Sequence, residues 1–399
     1  MAILGMRGTG SWSSDERPTN FREKILYLYP NSPAILTAIT GKLKSEAVND
    51  PKFTIFEKGL PPQRARITST GTGATIELSD IAEGGASDTP NNIFRVGHVA
   101  MVERTQEVVW ITAIDAGGEN LTVLRGNSVG STTAATVAGD YLLIIGNHNA
   151  EGASTPMAQS VNPDTISNYT QIFRTAMSLT GTAKETYLRT GEVEKELKRE
   201  AAERHAIEME WAFIFGQPHQ GTNGDGYYDR TTGGVLSFLT GSDANSLDFD
   251  GAVTKDAWEG FLEDLFTVPT GSSEKLCLCG NRALTTLNAM AQAYGQIQLT
   301  PTSESYGMKF MRYETPYGTL QLKGHPLLSQ NPTFASWGFI IDPKNVVYRP
   351  LKNRDTKFLT DRQDNGADAI VHEFLTECGL ELRHVPTHGV FMNASAFTP

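Results

Sequence analysis

Apolar and polar residues alternate in several short runs between residues 70 and 150, and glycine, aspartate and asparagine separate the runs. Rich in β-branched and aromatic residues, the runs cover residues 74–78, 94–102, 107–114, 121–124 and 141–145. Short strands at this spacing predict a small antiparallel barrel or sandwich. We interpret the segment as a β module inserted into a longer chain, because the sequence on both sides of it follows other patterns.

A second pattern predicts one very long helix over residues 184–216. The segment contains no proline, and Gly191 is its one weak point. The residues that approximate one apolar stripe are Val193, Leu197, Ala201, Ile207, Trp211 and Phe215. At about 1.5 Å per residue this helix would be roughly 45 Å long. We expect it to pack by one side on a sheet.

The first 50 residues predict an arm that has no core of its own. Residues 1–20 are rich in glycine, serine and threonine, and an amphipathic stretch over residues 21–43 is broken by Pro30 and Pro33. A segment that buries so little apolar surface cannot offset the entropy lost when it is ordered. We therefore expect the arm to lie on another surface.

After residue 217 strands and helices follow one another, which predicts a compact α/β segment. A strand over residues 275–279 is followed by Gly280, by Asn281 as a helix N-cap and by a helix over residues 282–293. The later runs that predict strands cover residues 318–322, 337–341, 346–348 and 369–385.

The composition is that of a globular chain, with 399 residues, 39% of them hydrophobic and 20% charged, which is enough for two or three domains. A formal net charge of -11 argues against a DNA-binding protein with a basic surface that neutralises phosphates. A chain this acidic can still enclose DNA. Cys277 and Cys279 lie two apart on a predicted strand. We interpret them as buried thiols, because no second cysteine or histidine pair lies near them.

The sequence also bears on where the protein is made. No apolar run is long enough to span a membrane, and residues 1–10 lack the apolar core of a secretory signal. Three cysteines are too few for a disulfide framework and are typical of a reducing compartment. We therefore expect a soluble protein that is made and used in the cytoplasm.

Candidate catalytic motifs are few. Residues 126–130 match G-x-S-x-G, in which Ser128 would be the nucleophile of a hydrolase. That motif needs a helix after its turn, whereas the residues that follow predict a weak helix and then a strand, so a plain turn is favoured. His384 and His388 flank Pro386 and cannot form a helical metal pair. We predict no catalytic residue, cofactor or metal ligand, and no enzyme activity.

Several segments, taken in their order along the chain, resemble a known family. The segments are 168–174 (NYTQIFR), 192–199 (EVEKELKR), 313–320 (YETPYGTL), 338–343 (GFIIDP), 347–351 (VYRPL) and 377–383 (ECGLELR), with His388, Gly389 and Val390 after them. They resemble major capsid proteins of tailed bacteriophages with the Hong Kong 97-type fold, in the branch whose extended loop precedes a long spine helix. The resemblance covers residues 160–399 well and the arm loosely, and the β module departs from a plain family member.

The resemblance implies a division of the α+β chain into four parts. These are an N-terminal arm (1–50), an extended loop (51–160) carrying the β domain (about 70–150), a peripheral domain (161–222, 313–334 and 361–399) with the spine helix 184–216, and an axial domain (223–312 and 335–360). It implies self-assembly into pentamers and hexamers that form an icosahedral shell around packaged double-stranded DNA, without sequence-specific DNA binding and without a membrane.

The resemblance also implies partners and a location. Scaffold, portal and cement or decoration proteins would be partners, and the subunit would be found in the virion after assembly in the host cytoplasm. The residues predicted to make contacts between subunits are Phe21, Ile25, Leu28, Arg64, Arg66, Lys195 and Arg199. Three alternatives stay open: an encapsulin-like nanocompartment shell, a serine hydrolase that uses Ser128, and a monomeric β-rich binding protein.

Overall fold

The structure is a computed structural model of the chain. It describes residues 33–41, 44–59, 63–81, 93–115, 120–126, 133–156, 158, 162–186, 191–240, 245–294, 300–305 and 308–398. The chain divides into two compact units, Met1–Thr54 with Ser167–Pro399 and Ile55–Ile166. Within the described residues no helix has both the length and the apolar character that a membrane crossing needs.

The regular elements of the described residues are numbered in chain order. The helices are α1 (Ile35–Thr40), α2 (Gly181–Glu185), α3 (Val193–Phe215), α4 (Val235–Leu239), α5 (Lys255–Thr267), α6 (Asn281–Tyr294) and α7 (Pro326–Gln330). The strands are β1 (Lys52–Glu57), β2 (Arg64–Ile67), β3 (Thr75–Ile81), β4 (His98–Val102), β5 (Glu107–Ile114), β6 (Asn120–Leu124), β7 (Tyr141–Asn147), β8 (Asp164–Tyr169), β9 (Gln171–Thr180), β10 (His219–Thr222), β11 (Tyr228–Thr231), β12 (Asn245–Asp248), β13 (Ala252–Val253), β14 (Glu274–Cys279), β15 (Thr300–Ser305), β16 (Met308–Glu314), β17 (Thr319–Gly324), β18 (Gly338–Ile341), β19 (Val346–Pro350), β20 (Lys357–Leu359), β21 (Ala369–Leu382), β22 (Gly389–Met392) and β23 (Ala396–Phe397).

The predicted β module is a closed antiparallel barrel. Its strands are ordered β2-β3-β6-β5-β4-β7, and β7 pairs with β2 to close the ring. Inward side chains form one core: Ala65, Ile67, Ile76, Leu78, Ile93, Phe94, Ala100, Val102, Val109, Ile111, Leu121, Val123 and Leu142. The barrel begins at Arg64, earlier than the predicted residue 70, because β2 pairs with both β3 and β7.

A buried ion pair fixes one end of the barrel. Arg125 and Glu107 form two hydrogen bonds of 3.1 and 2.7 Å, and their side chains are 5% and 1% exposed. The guanidinium also donates to the carbonyl oxygens of Gly71 and Ala134, at 3.0 and 2.5 Å. Because Gly71 and Ala134 lie in loops, the pair holds two loops against the barrel.

The predicted spine helix is present as α3, but its start was predicted wrongly. It begins at Val193 and not at residue 184, because Gly191 has a φ of +126° and Glu192 is extended. A residue with positive φ cannot continue a right-handed helix. The preceding residues Gly181–Glu185 form the separate short helix α2.

The apolar stripe predicted for this helix was only partly right, since Trp211 and Phe215 pack against the core while partly buried. Of its members only Ala201 is buried, and the buried side chains are Ala201, His205, Met209, Glu210, Phe213 and Ile214. Positions 201, 205, 209 and 213 repeat every four residues, which keeps one face of the helix in contact with the core. Two polar residues, His205 and Glu210, thus occupy positions that the hydrophobic pattern assigned to the surface.

The spine helix packs on a sheet built around the long strand β21. β9 pairs with β21 from Thr180 opposite Ala369 to Gln171 opposite Cys378, and β19 and β20 pair with its other edge. His205 of α3 contacts this sheet, with its Nδ1 3.0 Å from Thr175 Oγ1 and its Nε2 2.8 Å from Thr376 Oγ1. The spine helix and the long strands that the resemblance implies, and the inserted β module that the strand pattern predicts, are all present in the α+β fold.

The larger unit also holds a seven-stranded mixed sheet in the order β12-β22-β18-β14-β17-β16-β15. Trp258 of α5 and Leu287 of α6 pack with Phe391 of β22 in its core. The predicted step from a strand to a helix is confirmed, since β14 ends at Cys279 and α6 begins at Asn281. β17 and β22 are both strands of this sheet, although the predicted division assigns them to the peripheral domain. The division into peripheral and axial domains stays a prediction.

Candidate functional site

One buried carboxylate, that of Glu210, joins the root of the N-terminal arm to the spine helix. Its Oε1 accepts from the Leu36 backbone N–H at 2.7 Å and lies 2.6 Å from His325 Nε2. Its Oε2 accepts from the Thr37 N–H at 2.6 Å and from the Thr37 hydroxyl at 2.7 Å. Four donors therefore meet one side chain that has no solvent exposure.

The contact follows from the way in which α1 begins. Ala34 at its N-cap has no side-chain hydrogen bond to the helix, so the first N–H groups of α1 need acceptors from elsewhere. The negative charge of Glu210 suits this helix end. Ile35, Leu36 and Ile39 then join the core cluster that contains Phe213. The arm root is thus held by apolar packing and by one carboxylate together.

A row of charge lies on the face of β21 that is turned away from the spine helix. Glu373, Glu377 and Glu381 follow one another at intervals of four residues on this face and are all buried. Their partners are Arg174 at 2.6 Å and Arg362 at 3.6 Å for Glu373, Arg354 at 2.5 Å for Glu377, and Arg349 with Arg383 for Glu381. The hydrogen bond from Arg174 holds the pKa of Glu373 below its ordinary value, against the effect of burial.

The same row continues into the arm through Glu46. Its Oε2 lies 2.7 Å from Arg349 Nη1 and 3.3 Å from Arg383 Nη2. The hydrogen bond from Lys44, followed by the charges of Arg349 and Arg383, lowers the pKa of Glu46 against a desolvation effect. Parallel bridges pair Ser45 with Tyr348 and Val48 with Leu351. Residues 44–48 are therefore fixed to the edge of the β21 sheet by backbone and side-chain contacts.

A compact cluster of buried polar groups lies where β14 begins. Lys275 Nζ donates to the Thr387 carbonyl at 2.5 Å, and the Asp342 carboxylate accepts from the Ser272 N–H at 2.7 Å. His388 Nδ1 accepts from the Asp342 N–H at 3.1 Å, which leaves Nε2 to donate to the Arg383 carbonyl at 3.2 Å. Burial lowers the pKa of His388 to about 4 and that of Lys275 to about 8. Since each group has a partner within the cluster, its evident role is to join three chain segments.

Two of the predicted contact residues, Arg64 and Arg66, lie on β2 of the barrel. Arg64 forms a two-pronged pair with Glu103, at 2.6 and 2.7 Å, and its guanidinium lies 3.8 Å from the centre of the Tyr141 ring. Arg66 is exposed. Arg64 is thus engaged within its own chain, while Arg66 presents its charge to solvent.

Lys195 and Arg199, the other two basic contact residues of the prediction, lie on the spine helix. Lys195 Nζ is 2.6 Å from Glu192, and Arg199 Nε is 3.3 Å from Glu203. Exposed pairs of this kind are worth little and exchange partners readily. The role of all four basic residues in subunit contacts stays a prediction.

The remaining predicted residues, Phe21, Ile25, Leu28 and Ser128, lie outside the described residues. On the described sides of Ser128, β6 ends at Leu124 and residues 133–140 lead into β7, with Thr136 bridged to Gly71. No helix follows the strand in these flanking residues. They therefore lack the context that a hydrolase elbow requires.

The cysteines are buried and free, as the sequence predicted for Cys277 and Cys279. A hydrogen bond with Cys279 and burial raise the pKa of Cys277, and burial raises that of Cys378 to about 12. Protonated thiols of this kind are poor nucleophiles and poor metal ligands. In the part of the chain that the structure describes, no group of three or more histidine, cysteine or acidic side chains could hold a metal ion.

Sequence reasoning missed Glu210 and its partners. The one local signal was an acidic residue inside the apolar run Met209–Phe215 of the spine helix, where a surface position would have been the ordinary interpretation. Its role depends on Leu36 and His325, which are 174 and 115 positions away.

The chain matches known proteins along nearly its whole length. Residues 6–395 match the family described as SU10 major capsid protein. The chain belongs to this family of major capsid proteins. The major capsid protein of Pseudomonas phage PaMx41 is 28% identical to it over 347 residues, which cover 85% of this chain and 80% of that relative. The expected class, a shell-forming major capsid protein, is thereby confirmed.

The solved structures to which the chain is similar share little sequence with it. A chain of Mycobacterium phage Bobi is 9% identical with a TM-score of 0.46, over 95% of this chain and 96% of that chain. A chain of the holo-SrpI encapsulin complex from Synechococcus elongatus PCC 7942 is 15% identical with a TM-score of 0.43, over 60% of this chain and 79% of that chain. The family assignment rests on the sequence match.

Proposed function

We propose that this chain is the major shell subunit of a tailed bacteriophage, and that its copies form the pentamers and hexamers of an icosahedral shell around packaged double-stranded DNA. The family match over residues 6–395 carries this proposal. Scaffold, portal and cement or decoration proteins are the proposed partners, and the virion is the proposed location after assembly in the host cytoplasm. The formal charge of -11 fits a shell that encloses DNA without adhering to it.

The proposed division of labour follows the Hong Kong 97-type arrangement. An arm (1–50) and an extended loop with its barrel (51–160) lie over neighbouring subunits, while the peripheral and axial domains form the body of each subunit. The anchoring of the arm root by Glu210 and Glu46 supports this division. A firm root lets the residues ahead of it be directed toward a neighbour, where each weak contact is repeated many times.

The arm contacts can be tested by charge. Ile25→Lys should leave a folded subunit that does not close shells, because a buried unpaired charge at a subunit contact is costly. Thr19→Lys is the matched control, since it adds the same charge to a polar position of the arm. Equal particle yields for the two variants in electron micrographs would remove Ile25 from the contact.

The main experiment is assembly of the full chain. Expressed alone and together with its neighbouring gene products, the protein should give closed particles in negative-stain images. In the presence of the packaging components these particles should contain nuclease-resistant double-stranded DNA. Particles that enclose a cargo enzyme and no DNA would establish a nanocompartment instead. A subunit that stays monomeric under every condition would overturn the proposal.

We further propose that the chain has no catalytic function. The barrel strands around Ser128 and the buried thiols support this. A fluorophosphonate probe should label the chain no more than its Ser128→Ala variant. Stoichiometric labelling that the substitution abolishes would establish a serine hydrolase.

A further inference from the structure

The outer surface of the barrel has two unlike sides. On β2 and β3 the outward side chains of Arg66, Thr75 and Glu77 are polar or charged and exposed, while β6 carries the exposed Thr122 and, opposite Trp110, the exposed Leu124. On β5, β4 and β7, which are consecutive around the barrel, six outward positions are apolar. These six, here named the apolar face, are Val99, Met101, Val108, Trp110, Leu143 and Ile145.

The strand register makes the apolar face continuous. Val99 is opposite Trp110, and Met101 is opposite both Val108 and Leu143. Side chains directly opposite one another on neighbouring strands are in contact distance. A bulge leaves Ile145 without a partner on β4, and its side chain is 49% exposed. The six residues thus form two adjoining rows across three strands.

Such a face is unusual for strands whose other side already fills a core. Ala100, Val102, Val109 and Ile111 point into the barrel, so β4 and β5 are apolar on both sides. A strand with one wet side ordinarily alternates apolar and polar residues. Strands apolar on both sides are typical of sheets that are covered on both sides. The ring of His148, tilted against that of Trp110 with 4.3 Å between the ring centres, covers only part of this face.

Charge and size together indicate the occupant. The apolar face has no charged member, whereas the chain as a whole carries -11, so two copies approach at lowest electrostatic cost through an uncharged face. A stable complex with a separate monovalent partner needs about 20–30 residues a side, far more than this face offers. A small contact suffices when the assembly repeats it many times.

We propose that the apolar face of the barrel docks on a second copy of this chain within the shell. The inference rests on the proposed shell function and adds to it the surface by which the inserted barrel holds a neighbour. Loss of water contact for six apolar side chains drives the docking.

Maleimide labelling of single-cysteine additions tests the docking directly. The three native cysteines are buried, so background labelling is low. Ile145→Cys places a thiol on the apolar face, and Thr75→Cys places one on β3, across the barrel from β4, as the matched control. In particles assembled from this chain alone, labelling at position 145 should be slower by about tenfold or more than in dissociated subunits, because the contact must open first. Labelling at position 75 should change little.

A charge substitution supplies the second measurement. Val99→Lys should leave the thermal unfolding midpoint of the dissociated subunit unchanged, since the side chain points outward, and should lower the particle yield. Thr75→Lys should change neither. Equal labelling of Ile145→Cys in particles and subunits would overturn the docking, as would protection that appears only after another gene product is added. Failure of the parent chain to form particles is a different result, and it would overturn the shell function on which the inference rests.

Discussion

The carboxylate of Glu210 and the imidazole of His325 meet at 2.6 Å between Oε1 and Nε2 in the fully buried interior, although 115 positions separate them in the chain. The same carboxylate receives the first N–H groups of α1. Spine helix, arm root and the segment before α7 are therefore joined by one side chain. A buried carboxylate is tolerated there because donors satisfy both of its oxygens.

Substitution of this carboxylate should release the arm root. Glu210→Gln places an amide N–H₂ opposite one set of donors, and we expect the free energy of unfolding to fall by about 2–4 kcal/mol. Hydrogen exchange should show loss of protection at Leu36 and Thr37 before the rest of the subunit. Glu200→Gln on the exposed side of the same helix is the control and should cost no more than about 0.5 kcal/mol. Unchanged protection at Leu36 would contradict the anchoring role.

The sequence predicted those features that local patterns determine. Alternation within a few residues is enough to identify the barrel strands, and Gly280 with Asn281 marks the change from β14 to α6. The start of the spine helix was missed because only the structure shows that Gly191 adopts a positive φ. Glu210 was missed for a different reason. Its hydrogen bonds join segments that are distant in the chain, and residue spacing contains no information about such contacts.

The barrel should depend on the pair formed by Arg125 and Glu107. Arg125→Met leaves a buried carboxylate without its partner, and we expect the barrel to lose about 3–5 kcal/mol of stability. Adding Glu107→Leu removes the second charge, so the double variant should be more stable than the single one. Hydrogen exchange in β5 and β6 gives the measurement, and Lys195→Met, in an exposed pair, is the control. A double variant no better than the single one would show that the bonds from Arg125 to the loop carbonyls matter more.

Stability should fall in mild acid because of His388. The pKa of His388 is lowered to about 4, chiefly by burial. The charge of Asp342 opposes this shift, and the charges of Lys275 and His384 contribute to it. The value in the unfolded chain is about 6.5. Between these two values the unfolded chain binds a proton that the folded chain does not. The free energy of unfolding should therefore decrease as pH falls from about 6.5 to 4, by up to about 3 kcal/mol.

The contribution of this one histidine can be separated from that of other groups. His388→Gln can still accept from the Asp342 N–H and donate to the Arg383 carbonyl, so the variant should fold, although with lower stability at pH 7. Because glutamine does not titrate, its stability should decline less steeply toward pH 4. His148→Gln, on the surface of the barrel, should leave the decline unchanged. Urea denaturation at several pH values gives the slopes. Identical slopes for the parent chain and His388→Gln would contradict the assignment.

Two glycines should respond in opposite directions to the same substitution. A Cβ on Gly280 would lie 2.3 Å from the Ala335 carbonyl oxygen, and backbone cannot yield as a flexible side chain can. Gly280→Ala should therefore cost about 3 kcal/mol or more. Gly260 lies inside α5, where an added Cβ meets nothing within 4 Å. Gly260→Ala should raise stability by about 0.5–1 kcal/mol, because alanine loses less backbone entropy in a helix. The midpoint of thermal unfolding should fall for Gly280→Ala and rise for Gly260→Ala. Shifts of the same sign would mean that helix propensity and crowding do not distinguish the two positions.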